Sequence, residues 1–227
     1  MNTVVVLSGG LDSVVLAHVV RAEGHEGIAL SVNYGQRHVQ ELDYAQSAAR
    51  RLGMPWRVID LAAAGLAGLW AGSSLTDDVV PVASVGDAGP NSRSHVVANR
   101  NALFLAVAFT VAATSQCRRV AIAVSATDQA IADCTPEFLA AFEQMEALSL
   151  SGMANVEIFA PFAKLTKSEV VRIGQNLSVP WADTWSCFNR GARHCGRCLA
   201  CAQRQEAFAE ACLPDPTEYA SPAVRKL

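Results

Sequence analysis

The stretch VVVLSGGLDSVVLA, from Val4 to Ala17, decides the fold of this chain. The residues before Ser8 are apolar without interruption and mostly β-branched, which is typical of a buried strand in a parallel sheet. Apolar residues return at helical spacing from Val14 onward, and Gly24 stands where a glycine commonly ends a helix. The stretch therefore predicts a strand, a tight glycine corner and a helix in direct succession.

The corner Ser8-Gly9-Gly10-Leu11-Asp12-Ser13 has the composition of an anion-binding site. Its glycines allow close approach and unusual dihedral angles, and the N–H groups at a helix N-terminus point outward. Two serine hydroxyls add donors. Asp12 is unexpected, because a carboxylate beside a phosphate is unfavourable unless a cation lies between them. The simpler alternative is that the glycines only make a turn and that Asp12 or Ser13 only caps the helix.

Two familiar nucleotide-binding fingerprints are absent, since the corner has neither a Walker-type lysine nor a G-x-G-x-x-G pattern. The form S-G-G-x-D-S after a first strand resembles the pyrophosphate-binding loop, or PP-loop, of the ATP pyrophosphatase family. These proteins are the adenylating relatives of GMP synthetase and NAD synthetase. The resemblance implies an ATP site made by Leu7, Ser8, Gly9, Gly10, Leu11, Asp12 and Ser13.

Length and composition restrict the class of protein. The 227 residues suffice for one α/β domain with a real core, or for such a domain with a small appendage. Hydrophobic residues make up 51% of the chain, yet no apolar run reaches membrane-spanning length, and a strand begins too early for a signal peptide. The net charge of −3 argues against a broad nucleic-acid-binding surface, although it leaves room for a local basic pocket. We expect a cytoplasmic protein with no membrane partner and no stable nucleic-acid complex.

Strand and helix patterns alternate along the chain. Strands are predicted at 3–7, 27–32, 56–61, 119–125 and 156–160, with helices at 40–51, 99–113 (a buried helix), 136–148 and 166–177, besides the first one. The alternation predicts an α/β fold with a doubly wound, parallel, five-stranded sheet similar to the adenine nucleotide alpha hydrolases, with ligands at the carboxyl ends of its strands. The segment 62–95 is too long for a plain connection and should hold short helices or a mobile flap. We predict an ATP-binding domain at 1–180 and a small zinc-binding helical or loop region at 181–227.

Four of the seven cysteines crowd into a short segment, in the order C-x7-C-x2-C-x2-C. They are Cys187, Cys195, Cys198 and Cys201. Four thiolates can enclose one Zn²⁺ tetrahedrally and leave no open position, so the site should be structural and should fold a loop with little core of its own. Free thiols, a redox Cys-x-x-Cys pair, or His194 in place of one cysteine are the alternatives. Without a signal peptide, the pattern favours a metal in a reducing cytosol over disulfides. Cys117 and Cys212 should be ordinary buried or semi-buried thiols.

The PP-loop and the cysteine cluster together resemble the 7-cyano-7-deazaguanine synthase family, whose members make the nitrile precursor of queuosine and archaeosine. The resemblance covers about Val4 to Phe208. Further matching segments are Tyr34-Gly35-Gln36-Arg37-His38, Asn99-Arg100-Asn101, Asp133-Cys134 with Pro136-Glu137-Phe138, Lys164 to Glu169, and Cys201 to Phe208. Three places depart from the family pattern: Gln129-Ala130-Ile131-Ala132 replaces S-G-Y-P, Thr135 replaces an arginine, and Ala98 replaces a proline.

This resemblance implies a reaction. ATP activates 7-carboxy-7-deazaguanine as an acyl adenylate, ammonia then gives the amide, and a second activation with loss of water gives the nitrile. The implied cofactors are ATP, Mg²⁺ facing Asp12, and Zn²⁺, and a homodimer is expected. The implied catalytic residues are Asp12, Ser13, Arg37, Arg100 and Lys167, and the implied substrate contacts are Gln36, Arg100, Asn101 and Asp133.

Simpler or different roles are open for the single residues and for the whole chain. The side chains of Arg37, Arg100 and Lys167 could each equally be solvated surface cations. Asp133 could cap a helix, and Cys134 could be a nucleophile or, more simply, a small buried side chain. The departures from the family pattern allow a divergent PP-loop ligase that adenylates a related deazapurine acid and stops at an amide or transfers the acyl group elsewhere. The chain could also be a tRNA-modifying PP-loop enzyme, or a non-catalytic module that binds nucleic acid or protein.

Overall fold

A computed structural model describes residues 2–87 and 94–221 of the chain. Its strands are β1 (Thr3–Val6), β2 (Gly27–Asn33), β3 (Trp56–Asp60), β4 (Arg119–Ala121) and β5 (Glu157–Phe159). Its α-helices are α1 (Leu11–Ala22), α2 (Glu41–Arg51), α3 (Arg100–Thr114), α4 (Pro136–Ser149), α5 (Lys167–Asn176) and α6 (Leu199–Ala211). The predicted α/β class and the five parallel strands are confirmed.

The strand order creates a ligand-binding crevice. The order is β3-β2-β1-β4-β5, and every neighbouring pair is parallel, with Val4 opposite both Ile28 and Val120. The chain winds from β1 out to β3 and then returns to the other side of β1. Doubly wound sheets bind ligands outside the carboxyl ends of the strands at such a switch point, here between β1 and β4.

Helices cover both faces of the sheet. On one face, α1, α2 and α5 pack with Phe208 of α6 around a core that includes Val5, Leu16 and Val171. On the other face, α3 and α4 pack around Phe109 and neighbouring apolar side chains. Strand β1 contributes to both cores and is buried on both sides, and this double burial explains why its sequence is apolar without interruption.

Most predicted elements agree with the structure to within one or two residues, but two predictions need correction. The fourth strand ends at Ala121 rather than at 125, because Ser125 forms a capping box with Asp128 and turns the chain into a 3₁₀ helix. Cys212 is exposed rather than buried, because it follows the last turn of α6 with a φ of 58°. The predicted buried helix, α3, is fully buried along one face only.

The long segment after β3 and the C-terminal region both fold onto the sheet domain. A short 3₁₀ helix, Ala67–Trp70, confirms the prediction of short helices, and residues 88–93 of that segment lie outside the described residues. At the C-terminus α6 packs on α5 within the same core, and the division of the chain at residue 180 stays a prediction. Among residues 2–87 and 94–221, no helix has both the length and the apolar character needed to cross a membrane.

Candidate active site

The glycine corner lies at the carboxyl end of β1, where the sequence predicts it. Gly9 has a φ of 82°, and a Cβ there would lie 2.2 Å from the carbonyl oxygen of Glu41 and 2.7 Å from the backbone nitrogen of Ala45. Both the dihedral angle and the contact with α2 therefore require glycine. Gly10 is the N-cap of α1, and among the described residues no side-chain hydrogen bond caps this helix, so the alternative that Asp12 or Ser13 caps it is wrong.

The two serines of the corner hold its shape. Ser13 Oγ accepts a hydrogen bond from the backbone nitrogen of Ser8 (3.2 Å) and lies 3.1 Å from both Ser8 Oγ and the carbonyl oxygen of Gly10. The N–H groups in the first turn of α1 have no acceptor within the helix, as at every helix start. The corner therefore has the fixed backbone and the free donors that an anion site requires.

Asp12 forms an ion pair at the cavity wall. Its Oδ2 atom lies 3.1 Å from Nζ of Lys167, the first residue of α5. Burial raises the pKa of Asp12, and the nearby charge of Lys167 opposes that rise. Burial alone would lower the pKa of Lys167, but the carboxylates of Asp12 and Asp128 outweigh burial, so the pKa of Lys167 is raised. The other carboxylate oxygen, Oδ1, is buried without a hydrogen-bond partner in the described part of the chain. An unpaired carboxylate oxygen beside an anion site fits a ligand for Mg²⁺, a cation that prefers oxygen.

A cavity of about 760 Å³ opens at this point, between the carboxyl ends of β1 and β4. It is large enough for a nucleotide with a second small molecule beside it. Residues 129–132, the stretch that differs from the family pattern, contribute Ala130, Ile131 and Ala132 to the cavity wall. Leu7 and Gly9 do not line the cavity and support the glycine corner from behind. The predicted site residues that line the cavity are Ser8, Gly10, Leu11, Asp12, Ser13, Arg100, Asn101 and Lys167.

Arg100 and Asn101 reach the cavity from the start of α3. One Arg100 guanidinium nitrogen lies 3.4 Å from the hydroxyl of Tyr34, and Nε is buried without a partner among the described residues. Asn101 is held from behind, because its backbone nitrogen donates to Asp133 Oδ2 (2.8 Å) and its side chain donates to the carbonyl oxygen of Asp133 and to Cys134 Sγ. Asp133 thus caps α3 and does not line the cavity, whereas Thr135 caps α4.

Two further predicted site residues, Gln36 and Arg37, are not brought to the cavity. Gln36 is buried and bonds the backbone of Tyr34 and Val32 and the carboxylate of Glu41. The Arg37 guanidinium donates to three carbonyl oxygens of the segment 74–80. The structure places both in scaffolding positions, and their predicted contact with substrate or phosphate stays a prediction.

Sequence reasoning missed several cavity residues. His38 and Glu41 line it from the segment after β2, Asp128 lines it after β4, and Trp185 and Arg204 line it from the C-terminal region. His38 stands within the quoted match Tyr34 to His38, and Arg204 stands within the quoted match Cys201 to Phe208, so these matches were the available signals. Glu41, Asp128 and Trp185 carry no local signature, since single acidic or aromatic residues occur throughout the chain.

The four cysteines of the C-terminal cluster converge as predicted. Their sulfur atoms all lie within 4.8 Å of one another, with Cys187 and Cys198 at 4.0 Å and Cys195 and Cys201 at 3.8 Å. Tetrahedral Zn–S bonds of about 2.3 Å place the sulfurs roughly 3.8 Å apart, so the four thiols fit one zinc ion. Backbone N–H groups point at two of the sulfurs, as suits thiolates. His194 is not a member of the cluster, because its Nε2 accepts from the backbone nitrogen of Ser186.

The cysteine region is tied directly to the PP-loop. The backbone nitrogen of Trp185 donates to the carbonyl oxygen of Gly9 (2.9 Å). Arg204, only 1% exposed, donates to Thr184, Ser186 and the carbonyl oxygen of Trp181 and pairs with Asp215. A metal bound by the cysteines would therefore brace the segment that closes the cavity.

Comparison with known proteins shows the family of this chain. Residues 2–212 match the model of the family described as "Queuosine biosynthesis protein QueC". This chain belongs to that family. The protein named 7-cyano-7-deazaguanine synthase in Rhizobium meliloti (strain 1021) is 48% identical over 224 residues, which are 98% of this chain and 93% of that protein. The protein of the same name in Ruegeria pomeroyi (strain ATCC 700808 / DSM 15171 / DSS-3) is 50% identical over 225 residues, 98% of this chain and 96% of that protein.

Among solved structures, the chain is similar to the NH3-dependent NAD synthetase from Campylobacter jejuni subsp. jejuni NCTC 11168. The identity is 15% and the TM-score 0.47, over 79% of this chain and 65% of that one.

Proposed function

We propose that this protein converts 7-carboxy-7-deazaguanine and ammonia to 7-cyano-7-deazaguanine with ATP, through an acyl adenylate and an amide. Family membership and the near full-length relatives named 7-cyano-7-deazaguanine synthase support the product. The observation that carries the chemistry is the placement of the PP-loop, the Asp12–Lys167 pair and Arg100 around one cavity.

The first task of the site is to hold a triphosphate while a carboxylate attacks its α-phosphorus. The first-turn N–H groups of α1 and the hydroxyls of Ser8 and Ser13 would bind the pyrophosphate part. Asp12, through its unpaired Oδ1, would hold Mg²⁺, which when bound neutralises charge on the phosphate oxygens. Lys167 would stabilise the negative charge that develops as pyrophosphate leaves.

The second task is to orient the acid. Arg100 would pair with its carboxylate before attack, since its buried Nε has no partner among the described residues. Phe104 and Phe188 add aromatic surface to the same cavity for a bicyclic base. Activation is then mainly positioning and charge neutralisation, because the bond changes occur within the two substrates.

The four cysteines would hold Zn²⁺ in a closed tetrahedral site that leaves no position for substrate, so this metal would be structural. We also propose a homodimer that works in the cytoplasm, where ATP is abundant and cysteine thiols stay reduced. No observation in the described residues favours the divergent ligase, the tRNA enzyme or the binding module.

Product analysis tests the function. The purified protein is incubated with 7-carboxy-7-deazaguanine, ATP, Mg²⁺ and ammonium chloride, and the products are identified by mass spectrometry. The expected products are the nitrile, AMP and pyrophosphate, with the amide as an intermediate. An amide that never proceeds to the nitrile would support the divergent ligase, and no pyrophosphate release from this acid would exclude it as the substrate.

A further inference from the structure

A buried histidine at the cavity wall is held by a carboxylate. His38 is 5% exposed, and its Nε2 lies 3.4 Å from Glu41 Oε2. The other carboxylate oxygen of Glu41 accepts a hydrogen bond from Gln36 Nε2 (3.0 Å), and Gln36 Oε1 accepts one from the backbone nitrogen of Tyr34 (2.9 Å). The ring is therefore oriented by a chain of contacts that begins at the end of β2.

The contact with Glu41 favours one tautomer of His38. Because Glu41 Oε2 lies where it can accept from Nε2, a ring proton on Nε2 is stabilised and Nδ1 is left with a lone pair. Nδ1 is buried and has no hydrogen-bond partner among residues 2–87 and 94–221. An unpaired buried acceptor destabilises a protein, and because this one belongs to a residue that lines the cavity, it fits a group that meets a ligand.

The histidine also lies close to the site of adenylation. Gly9 packs so tightly on the first residue of α2 that an added Cβ would touch the Glu41 carbonyl oxygen. The PP-loop and the His38–Glu41 pair are thus neighbours across one backbone contact. Both pair members line the same cavity as Asp12 and Arg100.

The proposed function, on which this inference rests, needs a proton acceptor that the PP-loop does not supply. Ammonia must lose a proton when it becomes an amide nitrogen. Burial raises the pKa of both Tyr34 and Cys134 to about 12, so these two cavity groups stay protonated. Asp12 is paired with Lys167, and Asp128 accepts hydrogen bonds from the backbone nitrogen and the hydroxyl of Ser125.

We propose that His38 is the general base of the amide-forming step and that Glu41 positions it. The ammonia nitrogen forms a bond to the acyl carbon of the adenylate, and the carbon–oxygen bond to AMP breaks, with its electron pair leaving on AMP. The proton released from nitrogen passes to His38 Nδ1, and the imidazolium that forms is stabilised by the Glu41 carboxylate. The step consumes ammonia and acyl adenylate and yields amide, AMP and one proton.

The test compares ammonia and hydroxylamine as nucleophiles in variants of His38 and Glu41. His38→Gln keeps a side-chain N–H that can reach Glu41 and removes the base. Hydroxylamine is far less basic than ammonia, so its adduct loses its proton to water without help from the protein. We expect His38→Gln to lower amide formation by about 10²–10⁴-fold, the range for loss of a general base, while hydroxamate formation and ATP–pyrophosphate exchange stay near wild type. His38→Ala should regain amide formation when imidazole is added, and Glu41→Gln should show the same split in weaker form.

His18→Gln is the matched control. His18 is a half-buried histidine of α1 whose Nδ1 lies 2.9 Å from the carbonyl oxygen of Val14, and it does not line the cavity. Its variant should keep all three activities.

Four outcomes would overturn the assignment. They are normal amide formation by His38→Gln, an equal loss of amide and hydroxamate, failure of all three variants of His38 and Glu41 to fold, and the expected split appearing in a His95→Gln variant instead, because His95 also lines the cavity. Wild-type protein that shows no exchange with 7-carboxy-7-deazaguanine would overturn the proposed function itself, and this inference with it. The two failures are therefore distinguished before any variant is made.

Discussion

Replacing Asp12 by asparagine separates the proposed chemistry from the stability of the fold. The change keeps the shape of the side chain and removes the charge next to the Lys167 ammonium, 3.1 Å away. It also converts Oδ1, the unpaired buried oxygen, into part of a neutral amide. If Asp12 holds Mg²⁺ against the pyrophosphate, acid-dependent pyrophosphate release should fall at least about 100-fold, the scale for losing one preorganised contact to transition-state charge.

The cost to stability can be estimated from the same distance. Two unit charges 3.1 Å apart attract by about 5 kcal/mol at an effective dielectric constant of about 20. Most of this is offset by desolvation, and the two side chains retain 17% and 19% of their exposure. The net loss should lie between that of exposed and fully buried pairs, at about 1–3 kcal/mol, which corresponds to a fall in Tm of about 2–12 °C for a chain of this length.

The assay measures pyrophosphate release at saturating acid and ATP, next to a thermal melt and a zinc analysis of the same sample. Asp183→Asn is the matched control, since it removes the carboxylate of the surface ion pair with Arg51, outside the cavity. The control should keep normal release and lose no more than about 1 kcal/mol of stability. A folded Asp12→Asn protein with near-normal release would refute the role of Asp12 and the cation argument built on its unpaired oxygen.

Three further predictions concern the zinc, the acid pocket and the glycine corner. Protein never exposed to chelator should contain about one zinc per chain, and metal analysis that finds no zinc would contradict the zinc site. Cys198→Ser should lower thermal stability more than it lowers the ATP affinity of the protein that remains folded. Ala130→Leu, in the stretch that differs from the family pattern and lines the cavity, should raise the KM for the acid and leave the KM for ATP nearly unchanged, and a collapse of ATP affinity would show that the stretch is misplaced. Gly9→Ala should abolish ATP binding, because the added Cβ would meet the backbone of α2. The control Gly24→Ala, at a φ of 75° with no described atom near the added Cβ, should cost only about 1 kcal/mol of stability and keep ATP binding. Equal ATP binding by the two variants would contradict the contact between Gly9 and α2.

The PP-loop and the cysteine cluster could be predicted from the sequence because each is local. Ser8 to Ser13 are joined by covalent bonds between a strand and a helix, so the order of residues alone brings their donors together. The spacing of Cys195, Cys198 and Cys201 likewise forces three sulfurs near one point. The five strands were predictable for a related reason, since apolar runs between glycines and helical patterns mark buried parallel strands.

The residues around the rest of the cavity were decided by the tertiary structure. Gln36, Arg37 and His38 are consecutive, yet the turn after β2 points their side chains in different directions. Gln36 bonds the backbone of β2, Arg37 bonds the segment 74–80, and His38 lines the cavity. Likewise, the charge of Asp133 did not reveal that it caps α3, because its partner, the backbone nitrogen of Asn101, is 32 residues away in the chain.

The sequence by itself thus determined the fold class, the glycine corner and the four-cysteine cluster, for which short-range connectivity suffices. Only the packing of β1, β2, β4, α3, α5 and the C-terminal region around one crevice decided which polar side chains face it. The pairing of Asp12 with Lys167 and of His38 with Glu41 shows the difference. The first pair joins residues from helices that are far apart in the sequence, and the second depends on a turn whose direction is set by the elements packed against it.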